Sequence, residues 1–319
     1  MASRFAVLVL TTFLPTADAL RISSGVEQRV HRSALSRREG LGLATFSTIA
    51  TLLGDPMPAC AAEAPKTVVV AGATGQTGRR ILERLAAKGG LTVIGGVRNV
   101  EGASKSLGES SVAVRGAMVQ SVPSVDTSAV TLKKLDVVKD SVDTLTATLK
   151  GADALVIATG FVPGNPFEMG KAAHAVDNIG TISLIDAAKA AGVSKVVLVS
   201  SILTNGRAWG QEKSPGFVVT NAFGGVLDEK IIAERYLRAA GIDYTIVRPG
   251  GLKATPPTGA LVVSAEDTLN SGEISRDLVA DVCVQALYDS GASNKVVEIY
   301  EQEGGTPPSS DKWFYGLKM

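Results

Sequence analysis

The chain has 319 residues and a mass of 32.9 kDa, a length that suits two domains or one domain of ordinary size plus a tail. Hydrophobic residues make up 45% of it and charged residues 20%, which is typical of a globular protein rather than a disordered one. Lysine and arginine number 32, and aspartate and glutamate 31, so we expect no nucleic-acid partner. Two cysteines and two histidines are too few for a disulfide scaffold or a three-imidazole site, and we expect no metal.

Residues 1–64 have the pattern of a targeting leader. Arg4 precedes a short apolar run, and small residues follow that run, as in a secretory signal. A stretch rich in arginine and serine comes next, which resembles a plastid transit peptide. Arg37-Arg38 then precede a second apolar run that ends in Ala59-Cys60-Ala61, as in a twin-arginine signal for the thylakoid lumen. We predict a plastid protein of the stroma or the thylakoid lumen; the alternative is an N-terminal anchor or a disordered extension.

Apolar strands alternate with amphipathic helices between residues 65 and 302. The strand patterns lie at 67–72, 91–97, 130–136, 154–160, 195–201, 243–249 and 295–300. The helix patterns lie at 76–88, 178–192, 230–241 and 275–289. This alternation predicts an α/β, Rossmann-type, doubly wound parallel sheet of about seven strands with helices on both faces. We interpret 103–128 as a surface insertion and 303–319 as a C-terminal tail. No apolar run reaches the ~20 residues of a spanning helix, so we expect no integral membrane span in the mature chain.

The first strand runs directly into the sequence G-A-T-G-Q-T-G, in which the glycines are three residues apart. Glycines allow a tight turn and a close approach of backbone N–H groups to a pyrophosphate, and the following helix points its positive dipole end at the anion. The alternative is a structural turn that happens to be rich in glycine. We predict that the turn binds the diphosphate of a dinucleotide through Gly72, Thr74, Gly75, Gln76, Thr77 and Gly78.

The second predicted strand ends in G-V-R-N. An acidic residue at this place would bind the ribose 2′-hydroxyl of NAD, whereas the guanidinium of Arg98 suits the 2′-phosphate of NADP. We therefore predict NADP (NADPH) as the cofactor and regard NAD as the less favoured one. The alternative interpretation of Arg98 is a solvated surface side chain.

Several later segments carry a family resemblance, among them V-D-N-I-G-T, V-L-V-S-S-I-L-T-N-G, D-Y-T-I-V-R-P-G-G-L-K and I-S-R-D-L-V-A. With the glycine motif, they resemble atypical short-chain dehydrogenase/reductases, in particular plastid NAD(P)-binding proteins. That group is related to the NADPH-binding subunit of the chloroplast inner-envelope import translocon. The resemblance implies a dinucleotide that is also held at Asp136, Ala158, Thr159, Gly160, Ser200, Lys230, Pro249 and Gly250.

The resemblance is incomplete at the catalytic residues. Catalytic members of the superfamily use Ser, Tyr and Lys, and the Tyr lies four residues before the Lys, which lowers the pKa of the phenol. Val226 stands four residues before Lys230 here, so a carbonyl reduction driven by a phenol is not expected. Ser200 and Lys230 remain catalytic candidates. His174 is a further candidate for a proton donor, although a lone histidine is more often structural.

Together these patterns predict an NADPH-dependent oxidoreductase of the plastid. The alternative is a non-catalytic NADP(H)-binding redox sensor or assembly scaffold that has a plastid protein as its partner. A third possibility, a nucleotide-sugar or isomerase-like activity with tightly held NAD, is disfavoured by Arg98.

Overall fold

A computed structural model describes residues 64–114, 118–305 and 309–317, so the predicted leader lies outside the described residues except for its last residue. Strands in this part of the chain are β1 (Thr67–Ala71), β2 (Thr92–Val97), β3 (Ser111–Val114), β4 (Met118–Ser121), β5 (Thr131–Lys134), β6 (Ala154–Ile157), β7 (Lys195–Val199), β8 (Asp243–Pro249), β9 (Gly251–Lys253), β10 (Ala260–Ala265), β11 (Glu273–Ser275) and β12 (Lys295–Gln302). Helices are α1 (Gln76–Lys88), α2 (Val100–Gly108), α3 (Val142–Leu149), α4 (Met169–Ala173), a π-helix (His174–Gly180), α5 (Thr181–Ala191), α6 (Pro215–Asn221), α7 (Val226–Ala239) and α8 (Arg276–Ala286), with 3₁₀ turns at Ser290–Ala292 and Ser310–Lys312.

Eight strands form the main sheet, in the order β10-β12-β8-β7-β6-β1-β2-β5. Every neighbouring pair is parallel except β10 and β12. The chain builds outward from β1 through β2 to β5, and then crosses back to add β6, β7, β8 and β12 on the other side. This order confirms the predicted Rossmann-type, doubly wound fold. Its switch point lies between β1 and β6, where ligands bind at the carboxyl ends of the strands in such sheets.

The centre of the sheet is fully enclosed because helices cover both of its faces. Val68–Ala71 of β1 and Ala154–Ile157 of β6 have no exposed surface, as expected for continuous apolar runs in a parallel sheet. Helices α1 and α8 pack together on one face, and α3 and α5 pack together on the other. The N-terminus of α1 is thereby fixed beside the carboxyl ends of β1 and β6.

The structure adds elements that the sequence patterns did not predict. Strand β10 extends the sheet beyond the predicted seven strands and pairs antiparallel with β12 at its edge. Strands β3 and β4 form a hairpin inside the predicted insertion, and Val122 and Val125 just after it are buried. The helix predicted at 178–192 begins three residues later than expected, because residues 178–180 belong to the π-helix and α5 starts at Thr181. In the segment set apart as a C-terminal tail, Phe314 is fully buried in the core.

Candidate functional site

The turn between β1 and α1 requires glycine at two positions for different reasons. Gly72 has a φ of +80°, and a Cβ there would lie 2.8 Å from the carbonyl oxygen of Ala158 at the end of β6. A Cβ on Gly78 would collide with the carbonyl oxygen of Gly72. Gly75 N–H donates to the same Gly72 oxygen at 2.9 Å and closes the turn. The backbone is thus packed tightly around the start of α1.

The first turn of α1 is open to an anion. Gly75 occupies the N-cap, so no side chain caps the helix, and no acidic residue lies in the first turn. The N–H groups at a helix start lack intrahelical partners, and together with the helix dipole they form an anion site. Two side-chain oxygens nearby, Gln76 Oε1 and Thr159 Oγ1, are also buried without a hydrogen-bond partner among the described residues. These groups could hold the diphosphate and a ribose of a dinucleotide.

Arg98 follows β2 at the same edge of the sheet. The end of β2 contacts the glycine turn, because Ala73 N–H donates to the carbonyl oxygen of Gly96 at 3.2 Å. Arg98 is exposed, and its guanidinium has no ion pair or hydrogen bond to any other residue that the structure describes. The next residue, Asn99, caps α2 by accepting from Gly102 N–H at 3.1 Å. Arg98 therefore extends from a firmly held backbone with its charge available to a ligand.

Asp136, which follows β5, is bound within its own turn. Its Oδ1 accepts from Val138 N–H at 3.1 Å, and its own N–H donates to Asp140 at 2.8 Å. The preceding residue, Leu135, donates to the carbonyl oxygen of Val97 at 2.8 Å, which places Asp136 beside the end of β2. Asp136 is buried and lies on the same side of the switch point as Arg98.

The segment Ala158-Thr159-Gly160 leads from β6 towards Lys230. Ala158 N–H donates to Ala71 at 3.0 Å, so the segment continues directly beside the glycine turn. One residue after Gly160, Phe161 N–H donates to Asp177 Oδ2 at 3.1 Å. The other oxygen of Asp177 lies 2.8 Å from Lys230 Nζ. Asp177, which sequence reasoning did not single out, therefore links the loop after β6 to Lys230.

Ser200 ends up with a partner that the sequence did not reveal. Its hydroxyl donates to Glu234 Oε1 at 2.5 Å, and Thr204 Oγ1 lies 3.0 Å from the same oxygen. Glu234 is fully buried and pairs with the equally buried Arg248, with 2.6 Å between Nη2 and Oε2. We call this group, with Asp267 and Glu298, the Arg248 network.

The Arg248 network is compensated internally. Arg248 Nη1 lies 2.8 Å from Asp267 Oδ1 and 3.4 Å from Glu298 Oε1. Burial alone would lower the pKa of Arg248, but Glu234 and the surrounding carboxylates raise it above its ordinary value. For Glu298, an acid, burial has the opposite effect and raises the pKa, although three backbone N–H groups and Arg248 oppose the shift. Ser200 is thus held by a carboxylate that is itself held by Arg248.

Among the described residues, no tyrosine lies one helical turn before Lys230, where a catalytic phenol is expected. Val226 begins α7 one turn before Lys230, and its side chain is buried. Tyr236 points towards α5, where its hydroxyl donates to Asp186 at 2.5 Å. Tyr244 is buried within β8. In the structure, as in the sequence, Val226 therefore occupies the position of the tyrosine in the Tyr-x-x-x-Lys pattern, and neither Tyr236 nor Tyr244 takes its place.

Pro249 and Gly250 close the far end of the same edge. The carbonyl oxygen of Pro249 accepts from Ile202 N–H at 3.0 Å, which ties the end of β8 to the segment after Ser200. A Cβ on Gly250 would lie 2.5 Å from the carbonyl oxygen of Gly272. His174, at the start of the π-helix, is exposed and has its Nδ1 3.0 Å from Glu229 Oε2.

The structure thus brings the sequence-predicted residues to the carboxyl edge of one sheet. It also adds Asp177, Glu229 and Glu234, whose partners are too distant in the chain for a local motif.

Within the described ranges, no group of His, Cys, Asp and Glu side chains is arranged to hold a metal ion. Across the same residues, no helix combines the length and the apolar character needed to cross a membrane.

Known proteins resemble the chain over most of this domain. A sequence model of the NAD(P)H-binding family matches residues 72–290. The chloroplastic protein At2g34460 of Arabidopsis thaliana is 47% identical over 255 residues, a match that covers 79% of this chain and 83% of the relative. The chloroplastic protein TIC 62 of Pisum sativum is 34% identical over 245 residues, which cover 73% of this chain but 42% of TIC 62. Sanguinarine reductase of Eschscholzia californica is 27% identical over 253 residues, 75% of this chain and 90% of that protein.

Solved structures share the fold. The oxidoreductase ylbE of Lactococcus lactis matches with a TM-score of 0.61 at 22% identity, covering 79% of this chain and 96% of its own. A short-chain dehydrogenase/reductase of Veillonella parvula, in complex with NADP, matches with a TM-score of 0.53 at 16% identity, covering 77% and 99%. The chain therefore belongs to the NAD(P)H-binding family and has the Rossmann fold of the short-chain dehydrogenase/reductases, as the resemblance in its sequence implied.

Proposed function

We propose that the chain is an NADP(H)-dependent oxidoreductase of the plastid. The observation that carries the proposal is the uncapped first turn of α1 behind a turn in which Gly72 and Gly78 leave no room for a Cβ, with the guanidinium of Arg98, unpaired among the described residues, at the same edge. Such a turn suits a diphosphate, and a free guanidinium beside it suits the 2′-phosphate that distinguishes NADP from NAD.

Each sequence-predicted residue then has a task. The N–H groups in the first turn of α1, from Gln76 to Gly78, bind the diphosphate, and Arg98 binds the 2′-phosphate while Asp136 lies under the adenine. Thr159, between Ala158 and Gly160, uses its unpartnered hydroxyl towards the nicotinamide ribose. Lys230, oriented by Asp177, donates to that ribose.

The nicotinamide end is formed mainly by backbone. Pro249 and Gly250 shape the wall after β8, and Ser200, whose proton goes to Glu234, presents its oxygen only as an acceptor. When bound, the reduced nicotinamide supplies a hydride; the chain's own part is to orient the ring, exclude water and manage the proton.

The plastid location rests on residues 1–64 and on the chloroplastic relatives. We propose that these residues are a removable leader, that 65–302 form the NAD(P)-binding domain and that 303–319 complete it as a C-terminal segment. Sanguinarine reductase is named as a reductase, and the Veillonella parvula protein was solved with NADP; both support a reductase that uses NADPH. A leader fusion settles the location: residues 1–64 joined to a fluorescent protein should enter plastids, and a cytosolic fusion would refute the leader.

A second function is favoured by two residues at the usual catalytic positions. Because Val226 replaces the phenol and Ser200 is committed to Glu234, the usual catalytic set is absent from its place. The chain would then be a redox sensor or scaffold whose plastid protein partner responds to the NADPH/NADP⁺ ratio. Screening quinones, flavins and small aldehydes for NADPH oxidation separates the two. Turnover supports the enzyme; no turnover together with a partner released on oxidation supports the sensor.

The cofactor assignment is tested by calorimetry on the full chain. We expect NADPH to bind more tightly than NADH, and Arg98→Ala to remove most of that difference, roughly 10- to 100-fold in affinity for one charge-assisted contact. Lys150→Ala, at an exposed site after α3, is the matched control and should leave both affinities unchanged. Equal affinities of the wild-type chain for NADPH and NADH would overturn the assignment to NADP.

A further inference from the structure

His174, Glu229 and Asn178 form a cluster where the π-helix faces α7, the helix that carries Lys230. His174 Nδ1 lies 3.0 Å from Glu229 Oε2, and Asn178 Nδ2 donates to the same oxygen at 2.6 Å. His174 and Asn178 stand one turn apart on the π-helix, and Glu229 faces them from α7. The buried amide of Asn178 therefore fixes the same carboxylate, that of Glu229, which the imidazole of His174 contacts.

The polarity of this contact is set by chemistry. A carboxylate only accepts hydrogen bonds, so the proton of the His174–Glu229 contact belongs to Nδ1. Nε2 is left for exchange with water or a ligand, and the His174 side chain is 54% exposed. A carboxylate that orients an imidazole in this way is the arrangement by which proteins fix the tautomer of a histidine used in proton transfer.

Lys230, the next residue after Glu229, is engaged differently. Its ammonium lies 2.8 Å from Asp177, whose side chain is 1% exposed. The charge of Lys230 is thus compensated by a buried carboxylate, and Val226 leaves it no phenol to activate. The same two helices therefore present two pairs side by side: an inner pair, Lys230 and Asp177, and an outer pair, His174 and Glu229.

We propose that the outer pair takes over the proton transfer that the missing tyrosine performs elsewhere in the superfamily, with His174 as the acid and Glu229 as its positioning residue. This rests on the proposed oxidoreductase function. The acceptor gains a hydride, with its electron pair, from the reduced nicotinamide of NADPH. The electron pair of the acceptor's reduced bond moves to its heteroatom, which takes the proton from Nε2. NADP⁺, reduced acceptor and a neutral imidazole result, and water returns the proton to the exposed ring.

The first test needs neither cofactor nor substrate. In a full-length chain carrying His31→Gln, His174 is the only histidine, so ¹⁵N NMR observes one imidazole. Under conditions where the ring is neutral, we expect the Nδ1–H tautomer to dominate. Glu229→Gln should shift the ring towards the Nε2–H form that free histidine prefers, and Glu229→Asp should shift it less. An Nε2–H tautomer in the chain that retains Glu229 would overturn the proposal.

The second test follows turnover of a quinone with NADPH. We expect His174→Gln to lower kcat by ~10²-fold, in line with the loss of one general acid, while KM and the Kd for NADPH change less than twofold. Glu229→Gln should lower kcat less, and Glu229→Asp should restore part of it. Lys171→Gln, exposed one turn before His174, is the matched control and should change nothing.

The outcomes separate the inference from the function on which it rests. Unchanged kcat in His174→Gln, with NADPH still turned over, would overturn the His174–Glu229 pair alone. If the wild-type chain does not bind NADPH, or turns over no quinone, flavin or aldehyde, the oxidoreductase function is overturned, and the role of the His174–Glu229 pair is overturned with it.

Discussion

The two ends of the candidate site are built in opposite ways. At the proposed phosphate end, the first turn of α1 has no side-chain cap for its backbone N–H groups, and the guanidinium of Arg98 has no partner among the residues that the structure describes. At the other end, the Arg248 network brings carboxylates from α7, from the segment after β10 and from β12 onto one buried guanidinium. One end needs a ligand to complete its interactions, whereas the other is complete without one. We therefore expect the first end to govern cofactor binding and the second to govern stability.

Removing Glu234 should break the self-contained end and have the largest effect. Glu234→Ala removes the carboxylate that lies nearest to the buried Arg248, leaves that guanidinium with only Asp267, Glu298 and the more distant Glu266, and takes the acceptor from Ser200 and Thr204. We expect the free energy of unfolding, measured in urea, to fall by ~3–5 kcal/mol. Glu266→Gln is the control: that carboxylate lies 3.5 Å from Arg248 and is partly exposed, so its loss should cost at most ~1 kcal/mol. Equal losses in the two variants would show that the burial of the pair is unimportant.

Adding one methyl group should break the open end. Gly78→Ala places a Cβ against the carbonyl oxygen of Gly72, and neither backbone segment can yield easily. We expect a loss of ~1–3 kcal/mol in stability, and calorimetry should show a large loss of NADPH affinity, since the turn that receives the diphosphate must open. Gly108→Ala, at the end of α2 where a Cβ meets nothing within 4 Å, should leave the NADPH affinity unchanged and should not lower the stability. Full NADPH affinity in Gly78→Ala would separate the glycine turn from the cofactor.

At Glu301, in contrast to the first turn of α1, backbone N–H groups already bind an anion that belongs to the chain itself. Its carboxylate accepts from Gly259 N–H at 2.8 Å, from Ser275 N–H at 2.9 Å and from Thr258 N–H. Burial opposes ionisation, but these donors outweigh it and lower the pKa of Glu301 from 4.5 to about 2.

The pH dependence follows from this lowered pKa. A carboxyl whose pKa falls on folding stabilises the protein fully above pH 4.5, and loses that contribution as the pH falls towards about 2. Urea unfolding should therefore show wild type more stable than Glu301→Gln near neutral pH, with the difference shrinking between pH 4.5 and 2. A difference that stays constant across that window would mean that the carboxylate charge is irrelevant.

The same contrast explains what the sequence could predict. The parallel sheet and the glycine turn follow from local patterns: β-branched runs, and glycines spaced so that Gly72, Gly75 and Gly78 fall within one turn. The position of Lys230 and the absence of a tyrosine before it also follow from spacing along one helix. These are features that neighbouring residues decide.

The rest depends on partners far apart in the chain. Ser200 bonds Glu234 and His174 bonds Glu229, over separations of 34 and 55 residues, so no local pattern announces either contact. Strand β10 follows Pro256-Pro257 and gains its order by pairing with β12, more than thirty residues later. Periodicity also could not place the start of α5, because the π-helix before it does not follow a period of 3.6 residues.

Because of the π-helix, the contact between His174 and Glu229 depends on how many residues this segment contains as well as on which residues they are. Its wider turns hold one more residue than a regular helix would over the same rise, and Gly180 fits against Val137 where a Cβ would lie 2.8 Å away. Deleting a single residue such as Ala175 would let the segment relax to ordinary winding. His174 would then rotate by ~100° around the axis and leave Glu229. A homologue that lacks one residue in this segment, however similar elsewhere, would therefore place a different side chain beside Glu229.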